Sequence, residues 1–198
     1  EPTTDRDGDG MPDSWEVSWG MRYDYDLSKY IPVLDWNDAS DGAEDLDGDG
    51  IREFIMGSQP EAQMGFNKIP KPDKATERFA FHAVSETGDP NANGTFKYYH
   101  GLGAGDMNGD GHKDVLIAHG WWQNPGDITT GKAWAFHPVR VKTDNGDQPL
   151  PGCSNLYADD LDSDGDMDLF LSSAHTFGVW WAENTGEGAW TLHEIDKS

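Results

Sequence analysis

The sequence predicts a mainly β protein made of repeated strands and acidic loops. Glycine supplies 24 of the 198 residues, which favours a turn-rich architecture over a helical bundle. Nine Trp, eight Phe and six Tyr provide large side chains for a core, although only 35% of the residues are hydrophobic. The segments 115–118 and 169–171 are continuously apolar, as is typical of strands covered on both faces. We therefore expect two to three sets of β-strands behind a small N-terminal module that contains one or two short helices.

The charge and the cysteine count exclude several classes of protein. The formal net charge is −23, from 37 acidic and 14 basic residues, so phosphate backbones and anionic lipids are repelled. No segment approaches the ~20 apolar residues that span a bilayer. Cys153 is the only cysteine, so an internal disulfide is impossible and a small buried side chain is expected. The sequence thus predicts neither a nucleic-acid partner nor membrane insertion.

The stretch DRDGDGMPDSWE at residues 5–16 matches the calcium-loop pattern D-x-[DN]-x-[DN]-G-x5-E at every position. Calcium prefers about six to eight oxygen ligands, and alternate carboxylates folded around a glycine turn supply them. Magnesium is the second choice, because it demands a tighter octahedron and keeps its waters. The predicted ligands are the side chains of Asp5, Asp7, Asp9, Asp13 and Glu16 and the backbone carbonyl of Met11.

Three further loops share the first nine positions of this pattern: DLDGDGIRE at 45–53, DMNGDGHKD at 106–114 and DLDSDGDMD at 160–168. Positions one, three, five and nine carry oxygen-bearing side chains, and position six is glycine. The predicted ligands are Asp45, Asp47, Asp49, the Ile51 carbonyl and Glu53; Asp106, Asn108, Asp110 and Asp114; and Asp160, Asp162, Asp164 and Asp168. Four copies of one charged pattern indicate cation sites rather than solvated turns, so we predict about four Ca2+ ions. Because like charges repel at close range, folding and calcium binding are expected to be coupled.

The first two loops occur together with a short helical segment. PDSWEVSWGM overlaps the end of the first loop, with Pro12 tolerated in a first helical turn and Gly20 as its stop. Residues 5–60 resemble the thrombospondin type 3-like calcium repeats of bacterial exported proteins, in which a D-x-D-G-D-G-x-P-D-x-W-E loop precedes a second D-x-D-G-D-G loop. The chain departs from that family after Gly50, where a shortened second helix ends at 57–60 and leaves Glu53 to close the loop. The resemblance implies a calcium-binding module at 1–60.

The two C-terminal loops occur in a different, repeated context. Aligning Asp106 with Asp160 also aligns DVLIAHGWWQN with DLFLSSAHTFGVWWAEN, and then WAFHPV with WTLHEI. The spacing is about 55 residues, which is typical of repeat architectures. FAFHAV at 79–84 matches the last strand once more, and the Pro- and Lys-containing segment 61–78 before it is predicted to be a linker.

These elements resemble FG-GAP/VCBS repeats, the calcium-bearing blades of integrin-like β-propellers. The resemblance rests on GAGDMNGDGHKDVLIAHGWW and YADDLDSDGDMDLFLSSAHTFGVWW, and with the flanking strands it covers about 79–195 of a repeat domain at 79–198. It implies that each metal loop connects the first two strands of a propeller blade. It also implies that the backbone carbonyls of His112 and Asp166 complete the two sites.

Two sets of ring side chains allow more than one interpretation. The Trp pairs at 121–122 and 180–181 are predicted mainly to pack in the core, because a strand places successive side chains on opposite faces. Exposed indoles also stack on sugar faces, so carbohydrate binding is the alternative. His82, His137 and His193 recur at equivalent strand positions, and we expect them to pack or hydrogen-bond within the repeat.

No catalytic pattern accompanies these loops. The sequence contains no G-x-S-x-G elbow, no glycine-rich phosphate loop and no zinc spacing among its histidines. We predict that the protein is not an enzyme but an exported, calcium-stabilised structural or adhesion protein, secreted or at the cell surface. The second hypothesis is a calcium-dependent carbohydrate-binding module, and the third is a calcium-dependent enzyme that acts on polysaccharide.

The number of repeats leads to a prediction about assembly. The chain offers two complete repeats, at 98–139 and 154–195, and an orphan strand at 79–84. A propeller closes with about four to eight blades, and uncovered sheet edges invite another chain. We therefore expect a homo-oligomer or filament with its contact at 79–84 or 190–195, or else neighbouring blades within a longer chain.

Overall fold

A computed structural model describes the backbone at 21–24 and 29–32, and the residues from 45 to 196 apart from 52, 59, 71–73, 75, 77, 97–98, 145, 174–176 and 187. The described residues are mainly β, as predicted, with a short 3-10 helix at Ile128–Thr130. The loop at 5–16 with its predicted ligands, and the helix predicted after it, lie outside the described residues.

The chain divides into two compact units. One contains residues 1–54 and 67–81, and the other contains 55–66 and 82–198. In the first unit, strand β1 (Met21–Asp24) pairs antiparallel with β2 (Lys29–Pro32).

A three-stranded sheet follows the acidic loop at 45–53. Its strands are β3 (Glu53–Gly57), β4 (Met64–Lys68) and β5 (Ala80–Ala83), in the order β3-β4-β5. The acidic loop runs directly into β3, because Glu53 is the last residue of the loop and the first residue of the strand.

Three predictions from the sequence are wrong in this region. The segment predicted as a shortened helix that ends at 57–60 forms strand β3. Its side chains alternate between two faces, as on a strand, because Glu53 is buried whereas Phe54 and Met56 are exposed. The predicted linker at 61–78 contains β4, because the apolar and buried Met64 and Phe66 precede the Pro- and Lys-rich stretch that suggested a linker. The strand at 79–84 is not an orphan, because β5 pairs with β4.

A four-stranded antiparallel sheet contains the second described loop. It consists of β6 (Leu102–Gly105), β7 (Asp114–Ile117), β8 (Gly120–Gln123) and β9 (Ala135–Pro138), in sequence order. The loop at 106–114 joins β6 to β7. All four residues of β7 are buried, which confirms the strand predicted from the apolar run at 115–118.

A six-stranded sheet contains the third described loop. Its strands are β10 (Val141–Thr143), β11 (Gly146–Gln148), β12 (Cys153–Asp159), β13 (Asp168–Ser173), β14 (Val179–Asn184) and β15 (Trp190–Asp196). Their order is β11-β10-β15-β14-β13-β12. The last four strands repeat the arrangement of β6 to β9, and the loop at 160–168 joins β12 to β13. A parallel pair of Val141 and Trp190 connects the β10–β11 hairpin to β15.

Strand β6 of the four-stranded sheet and strand β12 of the six-stranded sheet approach each other closely because β6 carries glycine at alternate positions. A Cβ at Gly103 would lie 2.7 Å from the carbonyl oxygen of Leu156 in β12, and one at Gly105 would lie 2.5 Å from Cβ of Ala158. Buried side chains from both sheets form one core, which includes Leu116, Leu156, Leu169, Leu171 and Trp190. Cys153 belongs to this core and is 1% exposed, as expected for a lone cysteine.

Candidate metal centres

The three described loops fold in the same way around a glycine. In each loop the amide of the glycine at position six donates to a carboxylate oxygen of the aspartate at position one. The three bonds are Gly50 to Asp45 at 3.0 Å, Gly111 to Asp106 at 2.8 Å and Gly165 to Asp160 at 3.1 Å. The φ angles of these glycines are 82°, 87° and 99°, a region that residues with a Cβ rarely adopt. The glycine of the pattern is thus required by the turn.

Short turns orient the side chains at positions three and five. In the loop at 45–53, Oδ1 of Asp47 accepts from the Asp49 amide at 3.1 Å, and Oδ1 of Asp49 accepts from the Ile51 amide at 2.9 Å. In the loop at 160–168, Oδ1 of Asp162 accepts from the Asp164 amide at 3.1 Å, and Oδ1 of Asp164 accepts from the Asp166 amide at 2.9 Å. Each aspartate uses one oxygen in its turn, and its other oxygen can ligate an ion.

Two groups of acidic side chains among the described residues converge closely enough to hold a metal ion. One group is Asp45, Asp47, Asp49 and Glu53, and the other is Asp160, Asp162 and Asp164. Within each group one carboxylate oxygen per residue lies within 4.8 Å of the others. The loop at 106–114 has an amide, Asn108, at position three, and its Nδ2 donates to Oδ2 of Asp110 at 2.9 Å.

The acids that close the second and third described loops are held by backbone amides. Oδ2 of Asp114 accepts from Met107 at 2.9 Å and Oδ1 accepts from Asn124 at 2.8 Å. Asp168 accepts in the same way from Leu161 and Asn184, at 3.1 and 2.8 Å. Both acids are 0% exposed, and burial raises the pKa of Asp114 to about 6. These side chains fasten the loop to the hairpin that follows it, and their role as ligands stays a prediction.

Glu53 closes the first described loop differently. Its Oε2 accepts from the Leu46 amide at 2.8 Å, but its Oε1 has no hydrogen-bond partner among the described residues. The side chain is 1% exposed. Burial, followed by the charges of Asp47, Asp45 and Asp49, raises the pKa of Glu53 to about 7. A buried carboxylate oxygen without a partner, beside three more carboxylates, suits a bound cation.

Two asparagines that the sequence analysis did not single out belong to these centres. Besides the amide bonds above, Nδ2 of Asn124 donates to the Lys113 carbonyl at 3.0 Å, and its Oδ1 accepts from Gly126 at 3.0 Å. In the next repeat, Nδ2 of Asn184 donates to the Met167 carbonyl at 3.3 Å, and its Oδ1 accepts from the Gly186 amide at 3.2 Å. The signal for these residues is the N-x-G turn that follows the Trp pair in both repeats.

The repeated histidines pack within the repeats. His137 stacks on Trp121 at a ring-centroid distance of 4.2 Å, and His193 stacks on Trp181 at 4.5 Å. Trp181, rather than Trp180, therefore matches Trp121, which shifts the alignment of the Trp pairs by one residue. Of the four tryptophans, Trp122 is buried at 4% exposure, while the other three are half-buried.

A lysine from the neighbouring strand contacts the first described loop. Nζ of Lys68 contacts Oδ2 of Asp47 and lies 2.8 Å from Oδ2 of Asp49. Burial lowers the pKa of Lys68, but the hydrogen bonds and charges of the two aspartates outweigh it and raise the pKa above its ordinary value. The lysine is therefore a fixed positive charge at this centre.

The fold and the loops define a class of protein, namely a β-repeat protein with acidic loops that can hold metal ions. No protein-family model, curated protein or solved structure matches the chain. Among the described residues no helix is long and apolar enough to cross a membrane.

Proposed function

We propose that the chain is an exported calcium-binding protein with a structural or adhesive role, secreted or displayed at the cell surface. The observation that carries the proposal is the common fold of the loops at 45–53, 106–114 and 160–168, together with the convergence of acidic side chains in the first and third of them. Seventeen of the 37 acidic residues lie in the loops at 5–16, 45–53, 106–114 and 160–168. An acidic surface that only solvated the protein would not need this placement.

Calcium fits these centres better than other metals. Their predicted ligands are carboxylate, amide and backbone oxygens, without a cysteine, and hard cations prefer oxygen. The loops are turns, and calcium tolerates the irregular coordination that turns provide. Magnesium would need a stricter octahedron.

The position of the loops supports a structural role for the ion. Each loop leads directly into a strand, β3, β7 or β13, and its closing acid bonds to an amide inside the same loop. An ion bound among the remaining carboxylates removes their mutual repulsion and stabilises the native state by mass action. The ion thereby has a structural role, which is to stabilise each loop and the strand that follows it, and not a catalytic role.

We further propose that the strands form propeller-like blades of the FG-GAP/VCBS type. The sheets with β6 to β9 and β12 to β15 share one strand order and carry the metal loop at the same place. The sheet with β3 to β5 has the equivalent loop and the equivalent ring pair, Phe66 and His82, at 5.2 Å. Three such blades fall short of the roughly four to eight that close a propeller, which favours assembly with copies of the chain or with further blades.

Carbohydrate binding is a second candidate because of one cleft in the larger unit. This cleft has a volume of ≈ 430 Å³, and its lining includes Trp121, His137, Asp166, Asn184 and Trp190. Aromatic rings beside carboxylate and amide groups are suited to a sugar. One face of Trp121 is covered by His137, however, so fewer ring faces are available than four exposed indoles would offer.

Isothermal titration calorimetry of the chelated protein with calcium tests the proposed function. We expect saturable binding with dissociation constants of about 10⁻⁴–10⁻³ M or tighter, the range of extracellular modules. A variant with Asp160→Asn and Asp164→Asn should lose the contribution of one site, because two of the three converging carboxylates become amides. The control Asp147→Asn changes an exposed acid of β11 outside the loops. If no heat of binding is found at millimolar calcium, the proposal is wrong.

A further inference from the structure

Lys68 of β4 contacts those oxygens of the first described loop that an ion would use. Oδ1 of Asp47 and Oδ1 of Asp49 each accept a backbone N–H within the loop. The ammonium group of Lys68 contacts the other oxygen, Oδ2, of both residues. The lysine and a metal ion bound at positions three and five would therefore compete for the same two atoms.

A second observation indicates that this loop is built for a larger charge than one lysine supplies. Glu53 is 1% exposed, and its Oε1 has no hydrogen-bond partner among the described residues. A carboxylate oxygen of Glu53 lies within 4.8 Å of oxygens from Asp45, Asp47 and Asp49. A buried charged oxygen without a partner is costly, and a divalent ion with several oxygen ligands would satisfy it.

The position of Lys68 has an equivalent in each of the other two repeats. In each of the three repeats an aromatic ring stacks on the histidine of the next strand. The residue equivalent to Lys68 lies two positions after that aromatic residue in the sequence. These residues are Lys68 after Phe66, Gln123 after Trp121 and Glu183 after Trp181.

All three side chains at this position interact with their own loop. Gln123 hydrogen-bonds Asp110, and Glu183 lies near enough to Asp162 for their charges to repel. Gln123 and Glu183 also bond the stacked histidine. One position of the repeat thus presents a cation, a neutral amide or an anion to a loop of the same fold.

We infer that Lys68 is an internal competitor that lowers the affinity of the loop at 45–53 for a divalent cation. The inference rests on the proposed function, because it concerns the regulation of one of the same loops. Without the ion, the ammonium group balances part of the carboxylate charge and holds the loop to β4. On binding, the ion displaces the ammonium group, so this loop fills at a higher calcium concentration than its four acids alone would require.

Two-dimensional 15N–1H NMR spectra of the full chain follow each loop separately during a calcium titration. The amides of Gly50, Gly111 and Gly165 donate to the first aspartate of their own loops, so each reports on one centre. In the Lys68→Gln variant, we expect the midpoint at Gly50 to fall by about five- to tenfold, the size of effect expected for losing one or two partly exposed ion pairs. The midpoints at the other two glycines should stay within about twofold.

Two further variants sharpen this test. Gln123→Lys should raise the midpoint at Gly111 by a similar factor and leave Gly50 unchanged. This variant tests the inference independently of whether Lys68→Gln folds. Lys142→Gln on β10 is the control, because it makes the same change in net charge away from the loops.

The outcomes separate the inference from the proposed function. An unchanged midpoint at Gly50 in Lys68→Gln, or equal shifts at all three glycines, would overturn the inference while calcium binding stands. The absence of any calcium-dependent shift at the three glycines of the unsubstituted protein would contradict the proposed function itself.

Discussion

The acid at position nine distinguishes two kinds of loop at the level of single residues. Asp114 and Asp168 have both oxygens bonded to backbone amides. Glu53 has one oxygen bonded in this way and one without a partner among the described residues. The longer side chain of glutamate thus allows one acid to hold the loop and also to face its carboxylates.

This difference predicts that removing the charge of Glu53 and removing the charge of Asp168 have opposite effects on the stability of the protein in chelator. In chelator, Glu53→Gln should stabilise the protein by about 1–2 kcal/mol, because burial and three neighbouring carboxylates oppose the ionised form. The same variant should gain less stability from calcium, since a charged ligand is lost. Thermal unfolding in chelator and in calcium measures both effects.

Asp168→Asn is the matched control for this prediction. An amide cannot accept two backbone N–H groups through two oxygens, so this variant should lose about 1–3 kcal/mol with or without calcium. If Glu53→Gln instead loses stability in chelator as Asp168→Asn does, the two acids play the same role and the distinction is wrong.

Residues within a loop could be predicted from the sequence, while their partners from other strands could not. The carboxylates and the glycine of one loop occupy nine successive positions, so their spacing is fixed by the turn. The asparagine that completes the centre follows the closing acid by 10 residues in one repeat and by 16 in the next. Lys68 is 19 residues from Asp49. Such contacts depend on strand pairing, which a short pattern does not contain.

At the level of whole elements, the close approach of β6 and β12 gives a second prediction. Gly103→Ala places a Cβ 2.7 Å from the Leu156 carbonyl oxygen, so one strand must move. We expect a loss of about 1–3 kcal/mol in the free energy of unfolding, measured with urea. Gly152→Ala is the control, because its Cβ would have no atom within 4 Å. Equal stability of the two variants would show that the strands are not tightly packed there.

Two of the strands that the sequence predicts correctly, β7 and β13, have a continuous apolar pattern. β7 and β13 follow their loops as apolar runs and are largely buried. β3 was mistaken for a helix because it is five residues long and exposes Phe54 and Met56, which leaves no clear period in the sequence. The composition of the segment around β4 suggests a linker because it is dominated by the prolines and lysines that follow the strand.

At the level of the whole molecule, the edges of the sheets bear on the predicted assembly. β5 is the last strand of its sheet, whereas β15 lies inside the six-stranded sheet, between β10 and β14. Of the two contacts expected from the sequence, 79–84 therefore fits an open edge better than 190–195 does.

We expect calcium-dependent association of the chain. Light scattering should report oligomers in calcium and smaller species in chelator. Ala80→Lys places a charge on an exposed position of β5 and should reduce association. A stable monomer at high protein concentration with calcium present would contradict this prediction.

The central claim is that calcium in the acidic loops stabilises the fold, and the melting temperature as a function of free calcium tests it most directly. Because an ion that binds only the native state adds stability as its concentration rises, the melting temperature should increase steadily with the logarithm of free calcium above the dissociation constants. The increase should begin as free calcium approaches the dissociation constants, expected at about 10⁻⁴–10⁻³ M or tighter. An identical melting temperature in excess chelator and in millimolar calcium would contradict the claim.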